Sequence, residues 1–207
     1  MEKQQVFYIH GGESYSQYED YLDDLKTKEI RDLPTTEGVS MWTKTFRGDL
    51  GDAYEVFTPS MPNKQNAQYN EWKIWFERHF AYLKDGVILV GWSLGAVFLA
   101  RYLSENKTLF SIKYLFLLAA PYDYFVSPGS KEDGGDFYPD AEKVSSISDV
   151  VHHIIIMHSK DDFVVPYEHA LKYKAALPAA ELITFEDKNH FLVEELPELV
   201  QKIRNLA

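Results

Sequence analysis

Val87-Ile88-Leu89-Val90-Gly91-Trp92-Ser93-Leu94-Gly95-Ala96 joins a strand-like run to a glycine-bounded serine. Four apolar β-formers run into Gly-x-Ser-x-Gly, and helix-forming residues fill 96–103 directly afterwards. In that context a sharp strand-to-helix turn lifts a serine hydroxyl above the end of a sheet. The turn leaves no room for side chains, which accounts for glycine at 91 and 95. A plain βα turn, in which small residues only let a helix pack closely, uses the same residues. The remainder of the chain decides between the two, according to whether it supplies an acid, a base and oxyanion donors in a workable order.

Working outward, short apolar runs alternate with helical patterns. The segments 6–9, 53–57, 87–90, 112–118, 153–158 and 181–185 read as strands with little polar alternation. Tyr18, Tyr21, Leu22, Leu25 and Ile30 recur at helical spacing within 15–31. The clearest amphipathic helix spans 66–83, with Tyr69, Trp72, Trp75, Phe76, His79, Phe80 and Leu83 on one stripe. Further helices are expected over 167–177 and 194–206, and 33–51 reads as an irregular connection. Strands of this kind separated by helices imply a doubly wound, mostly parallel sheet of about six strands with helices on both faces. The 207 residues fit a single domain. The segment 122–143 breaks the pattern with Pro128, Gly129, Gly134, Gly135 and Pro139, yet holds five aromatic residues. It reads as a candidate lid or pocket loop rather than a plain surface excursion.

The charge balance of −11 disfavours nucleic acid and anionic membrane as partners. No cysteine is present, so neither a disulfide nor a thiol nucleophile is available. The longest charge-free apolar run, 87–100, is too short to span a bilayer, and no signal-like core opens the chain. The expectation is a cytoplasmic protein. No phosphate-binding glycine loop, nicotinamide fingerprint or metal motif suggests a cofactor. His152 and His153 are adjacent in an extended segment, so they face opposite ways and cannot chelate together.

Ligands gather at the carboxyl ends of strands in such a sheet, and four of those ends carry suitable residues. Ser93 is the candidate nucleophile, and it needs a base to take its proton. His190, in Asp187-Lys188-Asn189-His190-Phe191 after the last strand, is the best placed of seven histidines. Asp161 and Asp162 follow the fifth strand, and either could orient the imidazole; Asp187 precedes His190 too closely and is expected to point elsewhere. The backbone amide of Leu94 would supply one oxyanion donor, and Gly12, with Glu13 next, the other. Glu13, Trp92, Tyr122 and Phe163 are candidate pocket residues, and a nearby Glu13 would disfavour anionic acyl groups.

Gly91-Trp92-Ser93-Leu94-Gly95, Asp162-Phe163-Val164-Val165-Pro166 and Asn189-His190-Phe191 together resemble the α/β-hydrolase superfamily, whose chain order of serine, aspartate and histidine they keep. The resemblance selects Asp162, because its run is similar to the hydrolase acid loop. The small size and Gly134-Gly135-Asp136-Phe137-Tyr138 look like the small serine hydrolases related to retinoblastoma-binding protein nine. His-Gly-Gly-Glu in the first loop and Gly-Trp-Ser, instead of Gly-His-Ser, depart from those relatives. The resemblance implies attack by Ser93 on an acyl carbon, an acyl-enzyme, and water activated by His190. Small carboxylic esters are the implied substrates, with amides, thioesters and acyl transfer open. A non-catalytic relative that binds a ligand or protein through 122–143 is the other reading.

Overall fold

The computed structural model describes residues 2–30 and 41–206. Its elements are β1 (Gln4–Ile9), α1 (Tyr18–Thr27), α2 (Trp42–Leu50), β2 (Tyr54–Phe57), α3 (Tyr69–Arg78), β3 (Val87–Trp92), α4 (Leu94–Glu105), β4 (Ile112–Leu118), β5 (Val151–Ser159), α5 (Glu168–Ala176), β6 (Glu181–Phe185) and α6 (Pro197–Arg204). The strands form one sheet in the order β2-β1-β3-β4-β5-β6, and every neighbouring pair is parallel. This is the α/β-hydrolase fold anticipated from the chain. No helix among the described residues is long and apolar enough to cross a membrane.

Alternation along each strand feeds two cores. Phe7, Ile9 and Leu89 face one side, where Trp72 and Phe76 of α3 and Phe98 of α4 cover them. Val6, Tyr8, Ile88 and Val90 face the other, against Trp42 and Phe46 of α2 and Leu199 and Ile203 of α6. Both faces are therefore dry, which is why the central strands carry so little polar alternation. The chain moves from β1 outward to β2, then returns to place β3 on the other side of β1. The loops after β1 and β3 diverge there, and such a switch point opens a crevice at the strand ends. Closeness at this point is extreme: a Cβ on Gly95 would stand 2.6 Å from the His10 carbonyl oxygen.

Three segments differ from the sequence reading. Part of the expected irregular connection over 33–51 lies outside the described residues, but from Trp42 to Leu50 the chain is helical. Trp42, Phe46 and Leu50, one helical turn apart, are buried, and Gly51 ends the helix at φ 83°. The helix expected over 66–83 stops at Arg78; the His79 amide bonds back to the Phe76 carbonyl, and one 3-10 turn follows. His79 packs as expected, its Nδ1 2.8 Å from the Trp75 carbonyl and its ring edge-on to Phe7. Residue 31 of the expected first helix also lies outside the described residues, and α1 buries none of its side chains fully. Polar contacts to the long loop hold it: the Lys131 amide donates to Asp24 at 2.9 Å, and Lys131 Nζ pairs with Asp20 and Asp23.

The loop 122–143 carries no regular helix or strand. Phe137 anchors it, fully buried between Trp72 and Phe98. Gly134 and Gly135 adopt positive φ, and a Cβ at Gly134 would meet the Tyr138 ring at 2.6 Å.

Candidate active site

Ser93 sits between β3 and α4 with φ 54° and ψ −120°, a conformation that ordinary residues avoid. The surroundings fix it: its amide donates to the Leu118 carbonyl at 2.8 Å, and its own carbonyl accepts from Ala96 and Val97. A residue held this way projects its hydroxyl away from the backbone and over the sheet end.

His190 arrives from the loop after β6, a segment pinned from both sides. Its flanking residues Asn189 and Phe191 both take positive φ. The indole N–H of Trp92 donates to the His190 carbonyl and that of Trp42 to the Phe191 carbonyl, each at 3.0 Å. The imidazole Nε2 then lies 2.9 Å from Ser93 Oγ, while Nδ1 lies 2.8 Å from Asp162 Oδ2 and 3.1 Å from Oδ1. A carboxylate only accepts, so Nδ1 carries the proton, and Nε2 is left with a lone pair for the serine hydroxyl.

Asp162 is nearly enclosed, and Val164 and Val165 donate their amides to its Oδ1 at 2.8 Å each. Burial opposes its charge, but hydrogen bonds from His158 and His190, the nearby His190 charge and the Val165 amide outweigh that. They hold the carboxyl well below the usual carboxylate range. Asp161 turns the other way, accepting from the Ser159 hydroxyl at 2.5 Å and the Asn189 amide at 2.8 Å. The neighbouring aspartates thus divide the work: one faces the imidazole and the other fixes the loop that carries it. Asp187 is exposed.

The loop after β1 lies against the elbow. A Cβ on Gly11 would stand 3.3 Å from Ser93 Cβ, and one on Gly12 would stand 3.2 Å from Leu94 Cδ2. The Glu13 amide is taken by the Lys64 carbonyl at 2.8 Å. No acceptor for the Gly12 or Leu94 amide appears among the described residues. His10 orders this loop, accepting the Met61 amide on Nε2 at 2.9 Å and meeting the Gly11 carbonyl through Nδ1. Burial pushes its pKa down. Sequence reasoning marked His10 only as part of a strand-end cluster; its function as a strut depends on contacts the sequence does not display.

A cleft of about 690 Å³ opens over Ser93 and His190. Glu13 and Trp92 line it, as anticipated. Tyr122 and Phe163 do not, and both assignments are corrected. Tyr122 turns inward onto the Tyr173 ring at 4.9 Å, and its amide donates to His169 Nδ1. Phe163 is 61% exposed. The turn closed by Asp162 over the amides of 164 and 165 presents Val164 and Val165 to the cleft and leaves Phe163 outside. Phe125, Tyr138 and Leu192 line the cleft instead, with Lys64 and Glu132 as further charged groups. Burial pushes the Glu132 carboxyl up, against hydrogen bonds from the Ser127 hydroxyl and nearby amides. The first two lining aromatics belong to the loop already marked by its composition; Leu192 carried no signal.

Among the described residues no three His, Asp or Glu side chains stand together as metal ligands. His153 instead stacks on Tyr114, with ring centroids 4.9 Å apart. The arrangement sets a hydroxyl on a base and the base on an acid, with the amides of Gly12 and Leu94 left without an acceptor among the described residues.

A family model described as serine hydrolase matches residues 36–200. No curated protein matches the chain in sequence. Among solved structures, the ydeN gene product of B. subtilis superposes with a TM-score of 0.72 at 18% identity, covering 99% of this chain and 98% of its own. A meta-cleavage product hydrolase from Pseudomonas fluorescens gives 0.67 at 15% identity, over 99% of this chain and 90% of its own. An α/β fold family hydrolase from Bacillus anthracis gives 0.60 at 14%, over 100% and 92%. At such identities the likeness is one of fold, and chemistry has to be argued from the site.

Proposed function

Because the chain belongs to the serine hydrolase family, we propose that it is a hydrolase cleaving small carboxylic esters through an acyl-enzyme on Ser93. The observation that carries this is the unbroken relay from Ser93 Oγ to His190 Nε2 at 2.9 Å and from His190 Nδ1 to Asp162 Oδ2 at 2.8 Å. Ser93 Oγ attacks the ester carbon as its proton passes to His190 Nε2. Asp162 stabilises the resulting imidazolium and holds the ring in the tautomer the reaction needs. The carbonyl oxygen, now an anion, receives hydrogen bonds from the amides of Gly12 and Leu94. Each such donor contributes roughly 3 kcal/mol of transition-state stabilisation in comparable sites. His190 then gives its proton to the departing alkoxide, and the alcohol leaves. Water enters, loses a proton to His190 and attacks the acyl carbon; as the acyl–oxygen bond breaks, His190 returns that proton to Ser93 Oγ and the acid leaves.

The cleft walls suit a compact substrate with an apolar part. Phe125, Val164, Val165 and Leu192 offer apolar surface, and Glu13 lines the same cleft beside Lys64. Glu13 is ion-paired to Lys28, and with Glu132 close by, an anionic acyl group meets carboxylates there. Glu13→Gln is accordingly expected to raise turnover of negatively charged esters relative to neutral ones; unchanged selectivity would refute the assignment.

Labelling by a fluorophosphonate probe tests the central reading. Wild type should take one covalent label, and Ser93→Ala none. A folded wild type that stays unlabelled, or a Ser93→Ala variant labelled equally, would sink it in favour of a binding protein. A panel of p-nitrophenyl esters should show turnover that declines once the acyl chain outgrows the cleft.

A further inference from the structure

His158 is the penultimate residue of β5, just before the acid loop, and the reaction just described does not use it. It is fully buried. Its Nε2 lies 2.9 Å from the Val165 carbonyl oxygen and 3.3 Å from Asp162 Oδ2. Both neighbours only accept, so the ring proton that faces them sits on Nε2, hydrogen-bonded to the Val165 carbonyl with Asp162 Oδ2 as a second, more distant acceptor. Nδ1 has no partner among the described residues, so no other hydrogen bond competes for the ring's orientation. Oδ2 is also the oxygen that takes the 2.8 Å bond from His190. Oδ1 accepts the two valine amides at 2.8 Å. Each oxygen of the acid is therefore held by more than one donor.

We propose that His158 is a positioning residue: with the Val164 and Val165 amides holding the other oxygen of Asp162, its Nε2–H draws charge from the oxygen facing His190, keeping His190 free to accept the Ser93 proton. The inference rests on the assignment of Ser93, His190 and Asp162 above. Its physical basis is the sharing of one oxygen between two donors. Charge given to His158 is withheld from His190, so the imidazolium form of His190 is stabilised less than it would be by a carboxylate with no other partner. Removing His158 leaves Oδ2 to His190 alone, while Val164 and Val165 still hold Oδ1, and so strengthens the pull of Asp162 on a proton at His190. The base then stays protonated to higher pH. Because the His158 proton is shared with the Val165 carbonyl and reaches Oδ2 at 3.3 Å, the effect is moderate, about half a pH unit.

Other titratable groups surround the pair. Glu13 and Lys64 come from the loops after β1 and β2, Glu132 and Tyr138 from the long loop, and Asp161 from the acid loop itself. The Tyr167 ring stands edge-on to His158 with centroids 5.9 Å apart, and His169 lies within electrostatic reach of it.

The experiment compares wild type, His158→Leu, which removes the donor, and His158→Gln, whose amide N–H reaches about as far as Nε2. For each, the pH dependence of fluorophosphonate inactivation and of ester kcat and KM is measured, and the His190 imidazole is titrated by NMR. His158→Leu is expected to shift the acidic limb and the His190 titration upward by about half a unit and to lower kcat roughly tenfold, with KM unchanged. His158→Gln should restore the limb towards wild type. A His158→Leu profile that superposes on wild type, or a His158→Gln profile displaced as far as the leucine variant, overturns the proposal. If His158→Leu does not fold by circular dichroism, His158→Asn, too short to reach Oδ2, takes its place under the same two outcomes. A wild type that takes no label refutes the ester-hydrolase reading instead, and the NMR titration still judges His158, because it needs no turnover.

Discussion

Asp162 ties the chemistry of single residues to stability. Its carboxyl is buried, yet it is held below the usual range by His158 and His190. A depressed folded pKa contributes stability that is fully present above the unfolded value near 3.9 and is lost as pH falls through the folded one. Asp162→Asn keeps an acceptor for the amides of Val164 and Val165 but cannot ionise. Its melting temperature should lie below that of wild type at about pH 7, with the gap closing as the medium is acidified below about pH 4. Parallel melts across that range measure this, and a constant gap would refute it. The same variant should lose on the order of 10³-fold or more in kcat. Gly12 makes a separate prediction. A Cβ there would stand 2.8 Å from the Lys64 carbonyl oxygen and 3.2 Å from Leu94 Cδ2, so Gly12→Ala must displace the proposed oxyanion amide. Steady-state kinetics should show kcat reduced by about 10²-fold with KM little changed. At this scale the sequence was most informative where chemistry demands a fixed order. Ser93, Asp162 and His190 could be named because the elbow, the acid loop and the last loop follow one another as the reaction requires. Tyr122 and Phe163 were misjudged, because proximity in sequence to reactive residues says nothing of which way a turn aims its side chains.

Among the elements, α1 and α2 reverse what their patterns suggest. The first has apolar residues at helical spacing but buries none fully, and Tyr18 and Leu25 are about half exposed or more. The second was hidden by Gly48 and two threonines, yet its three apolar residues at four-residue spacing all enter the core. Phe46→Ala should therefore cost about 3 to 5 kcal/mol in denaturant unfolding, against roughly 0.5 kcal/mol or less for Leu25→Ala. Equal effects would contradict the burial described. The legibility of a helix depended on how many residues its face presents: α3 and α4 offer long faces, while α2 rests on three apolar residues that pack on the sheet beside α6. The long loop adds a pH prediction. Burial raises the pKa of the Glu132 carboxyl above that of an ordinary glutamate, so its contribution is full at low pH and is lost as pH rises through the folded value. Glu132→Gln should be more stable than wild type at about pH 7, and the advantage should vanish on approaching about pH 4. Thermal melts at the two extremes decide it.

Over the whole molecule, the net charge of −11 sets a field that every charged substrate crosses. Under the proposed function, kcat/KM for an anionic ester should rise with ionic strength while that for a neutral ester stays flat, because salt screens the repulsion. Parallel slopes for both would remove the global field from the account. The all-parallel sheet explains how residues as distant as Gly12 and His190 meet: every strand delivers its following loop to one edge. That same arrangement makes the parts of the site unequal in durability. The elbow grows from β3, which has neighbours on both sides, but His190 follows β6, an edge strand that among the described residues pairs with β5 alone and has no fully buried residue. Beyond that strand it is held by the Trp42, Trp92 and Asp161 contacts to its loop. Edge elements with little burial open at lower free energy than the core. Fraying of β6 would carry the base off while leaving Ser93 poised on an intact scaffold, so warming should extinguish turnover several degrees before the far-ultraviolet signal collapses. Deuterium uptake would then appear first at 181–185, and cooling would restore activity without any refolding of the central strands.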